Sequence, residues 1–126
     1  MSKGKGQLFM ISHEEKYKFL LEKDGTHYQD TERKALFYVL AGNYDLYEKK
    51  HFIYDFEEHS IMLDCLESDD IDFSTSTRKL LELAFNHFNS FNKADVAEVL
   101  SMLDEDNLRL AIDSMKIRYG LNVSVV

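Results

Sequence analysis

Three glycines, Gly25, Gly42 and Gly120, are the only glycines in residues 7–126, and the chain has no proline at all. Proline breaks helix interiors and glycine weakens them, so a chain this sparing of both is suited to helices. Each of the three glycines stands where an apolar helical pattern stops, the usual place for a left-handed C-cap.

The strongest such pattern lies in the middle of the chain. Leu81, Ala84, Phe85, Phe88 and Phe91 recur at three- and four-residue spacing, one side of a helix, and Leu80 and Leu83 widen that side. The hydroxyl run Ser74-Thr75-Ser76-Thr77 supplies side-chain oxygens to cap its first turn. The spacing therefore predicts a central helix over 75–91, wrapped by the rest.

Other boundaries can be read the same way. Ser12 and Glu15 make a capping box for a helix ending before Gly25, with Tyr17, Leu20 and Leu21 inward and Lys16, Lys18, Glu22 and Lys23 wet. Asp30 caps a second helix, Thr31–Ala41, closed by Gly42 and Asn43, and residues 44–50 make a short third helix through Leu46 and Tyr47. Val96, Val99, Leu100 and Leu103 mark another short helix. The last one starts at an acidic cluster, Asp104 to Asp106, which suits the positive end of the helix dipole, and ends at Lys116, Arg118 and Gly120. Its apolar stripe reads Leu108, Ala111, Ile112, Met115 and Tyr119. Leu110 and Ile117 fall off that stripe, which predicts a wedged helix or a homo-oligomer contact.

Between residues 51 and 73 the helical period is lost. Phe52, Ile53, Tyr54 and Phe56 crowd too closely for one stripe, and the segment reads as irregular with minor short strands. The fold class is therefore mainly α: a single domain of five or six helices around the 75–91 helix. Residues 1–7 read as a flexible tail, 8–121 as the domain and 122–126 as a C-terminal extension. A chain of 126 residues can bury roughly two-thirds of its unfolded surface.

Charge and cysteine usage narrow the function. The net charge is −8, with residues 1–29 carrying +1 and residues 30–126 carrying −9. Such a chain lacks the positive field that phosphate backbones require, so direct nucleic-acid binding is disfavoured and a protein partner is favoured. One cysteine, no secretory apolar region and no apolar run near the roughly 20 residues of a membrane span place the chain in the cytoplasm, off the membrane.

The residues that carry chemistry form no recognised motif. His13, His27, His51, His59, His87 and Cys65 show none of the compact metal-ligand spacings, so neither metal nor cofactor is expected. The acidic run from Glu67 to Asp72 lacks the turn glycine and distal glutamate of an EF-hand loop. If the stretch were one helical turn, Asp55 would face His59, or His51, as an acid–base pair. Cys65, between Leu63 and Leu66, reads as an inert buried thiol. Tyr44, Tyr47, Phe52, Tyr54 and Phe56 lie close together beside Lys49 and Lys50. They read first as core, second as a protein-contact surface and a distant third as a stacking platform for single-stranded nucleic acid, because the surrounding field is negative.

Several stretches resemble a group of small bacterial proteins known only by a domain-of-unknown-function label. They are Asp30-Thr31-Glu32-Arg33-Lys34-Ala35-Leu36-Phe37-Tyr38, Gly42-Asn43, Leu46-Tyr47, Ile53-Tyr54-Asp55-Phe56, Asp64-Cys65-Leu66-Glu67, Asp72-Phe73-Ser74 and Ile117-Arg118-Tyr119-Gly120-Leu121. The resemblance spans residues 8–121 and implies an origin in Gram-positive bacteria, their phages or mobile elements. It implies no activity, cofactor or catalytic residue.

The expectation is a non-enzymatic protein-binding or regulatory module of the bacterial cytoplasm. Two other readings stay open: an acidic nucleic-acid mimic blocking a host DNA- or RNA-binding protein, and a small hydrolase or metal enzyme centred on His51, Asp55, His59 and Cys65.

Overall fold

The structure, a computed structural model, describes residues 11–123. The domain is mainly helical. Its elements run α1 (His13–Asp24), α2 (Thr31–Gly42), α3 (Tyr44–Glu48) and α4 (Lys50–Ile53). The two-residue strands β1 (Tyr54–Asp55) and β2 (Ser60–Ile61) come next, followed by a 3-10 turn at Leu63–Leu66. The chain closes with α5 (Thr75–Phe88), α6 (Val96–Ser101) and α7 (Glu105–Arg118). The tail at residues 1–7 lies outside the described residues, as do 124–126 of the extension.

The capping chemistry sets the boundaries. Ser12 Oγ accepts from the Glu15 backbone N–H while Glu15 accepts from the Ser12 N–H, closing the capping box. Asp30, Asn43, Ser74, Asp95 and Asp104 each accept a backbone N–H in the first turn of the helix that follows. Gly25 and Gly120 take left-handed φ of 69° and 83°, which stop α1 and α7. Lys49 divides the expected single helix 44–50 into α3 and α4.

The centre belongs to α2 rather than to the 75–91 stripe. Seven consecutive residues, Ala35 to Ala41, are buried, and α1, α5 and α7 all pack on this helix. The reason lies in the pattern itself. A marked stripe implies a helix with one wet side, whereas a helix apolar all round must be enclosed. In α5, Leu80, Leu81, Leu83, Ala84 and Phe85 are buried while Lys79, Glu82 and Asn86 keep partial exposure, so it is a flanking layer. It also ends at Phe88, three residues early. Asn89 Oδ1 accepts the Phe91 N–H (2.9 Å), an Asx turn that competes with the helix and leaves Phe91 87% exposed.

The inner face of α7 is rotated from the expected stripe. Leu110, Ala111, Ser114 and Ile117 are buried, while Ile112 and Tyr119 are exposed. Leu110 and Ile117 are thus wedged into this domain's core. Ser114 hid the true face, because a hydroxyl reads as wet until a partner for it is found. His87 Nε2 lies 2.9 Å from Ser114 Oγ, which itself donates to the Ala111 carbonyl (2.7 Å). With the hydroxyl proton used, the imidazole must be the donor, and both groups are satisfied in the core.

The irregular segment is tied down from both sides. Strands β1 and β2 pair antiparallel, Tyr54 with Ile61 and Asp55 with Ser60. Lys49 donates to the Asp72 carbonyl and Arg78 to the Leu66 carbonyl, and Phe73 is buried.

Candidate functional site

The five aromatic residues expected to share a contact surface divide into three settings. Tyr54 is 1% exposed and half-buried Phe56 packs with it on Phe37, with ring centroids 4.9 and 5.9 Å from Phe37 respectively. These two belong to the core. Tyr44 is exposed and Tyr47 half-buried, beside the ammonium groups of Lys16 and Lys50. Phe52 stands apart, exposed, next to the β2 hairpin arm.

A polar clasp anchors that hairpin. Asp24, at the end of α1, has a side chain only 2% exposed. It accepts from Tyr54 Oη (2.8 Å), His59 Nδ1 (2.7 Å) and Thr26 Oγ1 (2.6 Å). Burial, the largest influence on its pKa, acts to raise it; the hydrogen bonds from Thr26, His59 and Tyr54 outweigh burial and hold it below its ordinary value. Arg33 completes the clasp, donating from Nε to Tyr54 Oη (3.0 Å), from Nη1 to Asp30 (2.9 Å) and from Nη2 to the His59 carbonyl (2.6 Å). His59 sits at φ 57°, the one non-glycine residue with positive φ among the described residues. Histidine is among the types that tolerate this region, and the Asp24 and Arg33 contacts fix it there.

This clasp corrects the proposed acid–base pairing. Residues 55–59 form a hairpin rather than a helical turn, so Asp55 caps its own turn by accepting the Glu57 and Glu58 N–H groups. The carboxylate partner of His59 is Asp24. His51 is exposed and lines a shallow hollow with Asp55. Cys65 is buried in a different wall, where burial pushes its thiol up to about 11. Among the described residues no group of three His, Cys, Asp or Glu is placed to hold a metal ion.

The exposed apolar surface lies elsewhere. Phe52, Ile61, Met62, Leu63 and Ile71 line an open groove of about 410 Å³. Leu63 also borders a second hollow of about 420 Å³, walled by Leu66, Phe85 and Phe91 with Glu82 and Lys93, so the two hollows share Leu63 as an edge. Phe52, Met62, Leu63 and Phe91 are 55%, 39%, 47% and 87% exposed. Single exposed apolar residues are ordinary; four along two adjoining hollows make a candidate contact surface. Residues 55–72, which supply much of its floor and rim, carry eight carboxylates and no Lys or Arg.

Residues 5–125 match the model of a family described as "Family of unknown function (DUF6075)". The chain belongs to the DUF6075 family. Neither a curated protein nor a solved structure matches it.

For this DUF6075 chain, sequence reasoning found Phe52 but missed its neighbours. Phe91 reads as interior on the 75–91 stripe, and nothing in the sequence singles out Met62 or Leu63, because an apolar side chain carries no mark of facing outward. Asp24 and Arg33 were missed too, since each pairs with residues 20 or more positions away.

Proposed function

We propose that the protein is a non-enzymatic binding module of the bacterial cytoplasm whose groove takes a basic segment of a partner protein. The single observation that supports this reading is the position of the groove. Phe52, Met62, Leu63 and Phe91 are exposed beside a segment, residues 55–72, in which Glu57, Glu58, Asp64, Glu67, Asp69, Asp70 and Asp72 are all exposed and which contains no Lys or Arg. The apolar side chains supply desolvation and hence lifetime; the carboxylates supply attraction and choice of partner. An amphipathic segment with apolar anchors and flanking Lys or Arg satisfies both. Among the described residues no helix is long and apolar enough to cross a membrane.

The test is a titration with a synthetic Leu/Lys amphipathic peptide, with a Leu/Glu peptide as counterpart. Binding of the Leu/Lys peptide alone is the expected result, weakening as salt rises. Phe52→Ser and Leu63→Ser should each weaken it by about tenfold with the fold intact. Unchanged binding in both variants, or equal binding of the acidic peptide, would sink the reading.

The same run of exposed acids also suits a nucleic-acid mimic, in which the partner is itself a DNA- or RNA-binding protein. Competition separates the two: a mimic's partner is released by added duplex or single-stranded nucleic acid, while a partner bound by its apolar anchors is not.

A further inference from the structure

Three lysines of this acidic chain, Lys16, Lys23 and Lys50, gather beside one another. Lys16 and Lys23 lie seven residues apart on one face of α1, roughly 10 Å along its axis. Lys50, at the start of α4, comes up beside them. The Lys50 ammonium sits 4.0 Å from the Tyr47 ring centroid and the Lys16 ammonium 5.0 Å from the same centroid. Lys16 also lies 5.6 Å from the Tyr44 ring, and Lys23 lies 5.2 Å from Phe56. Four other lysines pair with carboxylates: Lys18 with Glu14, Lys49 with Asp45, Lys79 with Glu82 and Glu98, Lys116 with Asp113; Lys34 instead donates to the Tyr28 carbonyl. Among the described residues Lys16, Lys23 and Lys50 have no carboxylate within 4.0 Å.

These ammoniums feel one another. Burial, then Lys23 and Lys16, lower the Lys50 pKa against the opposing pull of Glu48. Burial, Lys50 and Lys23 lower that of His51. An arrangement of like charges that raises its own energy is relieved by a bound anion. Tyr44, 73% exposed beside Lys16, adds an open aromatic face. None of these side chains lines the apolar groove.

We propose that Lys16, Lys50 and Tyr44, with Tyr47 between the two lysines, form a binding site for a nucleotide. The phosphates meet the ammoniums and the base stacks on Tyr44. A carboxylate carries one charge and no ring, so an acidic peptide uses only part of this surface. A di- or triphosphate tail carries enough charge and reach to meet both lysines, and the base uses the ring. The net charge of −8 weighs against a long nucleic acid but little against a small ligand. Charges beyond roughly 8 Å are largely screened at physiological salt.

The experiment is a metal-free titration with ADP, followed by heteronuclear NMR, with adenosine, inorganic phosphate and a poly-Glu peptide in parallel. ADP should perturb Lys16, Tyr44, Tyr47 and Lys50, and should bind about tenfold tighter than adenosine or phosphate alone. Lys50→Gln, Lys16→Gln and Tyr44→Ala should each weaken ADP by about fivefold or more while leaving the Leu/Lys peptide titration unchanged. No perturbation by ADP at about 5 mM overturns the proposal. So does ADP binding no tighter than phosphate alone, or stronger binding of poly-Glu, which would assign the patch to an acidic protein.

Discussion

Asp24 shows how much a single carboxylate can hold. Its side chain accepts three hydrogen bonds that join the end of α1 to β1, to the hairpin turn and to Thr26. Asp24→Ala leaves the Tyr54 hydroxyl proton, the His59 imidazole and the Thr26 hydroxyl without their acceptor, and removes a carboxylate 3.9 Å from Arg33 Nε. It should cost about 3 kcal/mol in chemical denaturation. Tyr54→Phe, which removes two bonds, one to Asp24 and one from Arg33, should cost about 2 kcal/mol. His87 makes a pH prediction. Burial, followed by Arg118, lowers it from 6.5 to about 4. The unfolded chain therefore binds a proton in the window from pH 6.5 down to about 4 that the native state refuses. Stability is full above pH 6.5, falls through that window and is about 3 kcal/mol lower beneath it. His13, lowered chiefly by burial, acts in the same direction. Unfolding free energies measured from pH 7.5 to 4 should show this loss, and His87→Gln should flatten it. A slope unchanged in that variant would assign the effect elsewhere.

At the scale of elements, the contacts of α2 depend on small residues as much as on large ones. A Cβ at Gly42 would run into Leu110 Cδ1 and the His13 ring, so α1, α2 and α7 meet there without room for a methyl group. Gly42→Ala should cost about 1–3 kcal/mol despite the better helix propensity of alanine. Gly25→Ala meets nothing within 4 Å and is penalised only by its left-handed backbone, about 1 kcal/mol. Thermal melts of the two variants should rank in that order. The capping residues made these element boundaries legible, because Ser12, Asp30, Asn43, Asp95 and Asp104 act on N–H groups within three residues of themselves. The end of α5 was less legible. The Asx turn at Asn89 and the phenylalanine stripe make opposite claims on Phe91, and only the packed structure says which prevails.

Over the whole molecule, the two proposed recognition surfaces stand beside a structural polar centre. The groove is apolar and rimmed by acids; the α1–α4 patch is cationic and aromatic. Neither draws on the Asp24 clasp. Phe52→Ser and Leu63→Ser should therefore leave the melting temperature within about 2 °C of the parent, since these side chains are already exposed. A larger drop in both would mean that the groove belongs to the core.

Local chemistry settled the helical class, the caps, the stops and the uneven charge, because each depends on residues a few positions apart. Which helix lies at the centre, which face of α7 turns inward and which carboxylate serves His59 were decided by packing. Those outcomes rest on contacts across 20 to 60 or more positions, such as Asp24 with His59 and Asn43 with Asn107. A side chain's own polarity does not reveal such a partner. Ser114 became interior only because His87 was there to bond it, and Leu63 became surface only because nothing among the described residues covers it.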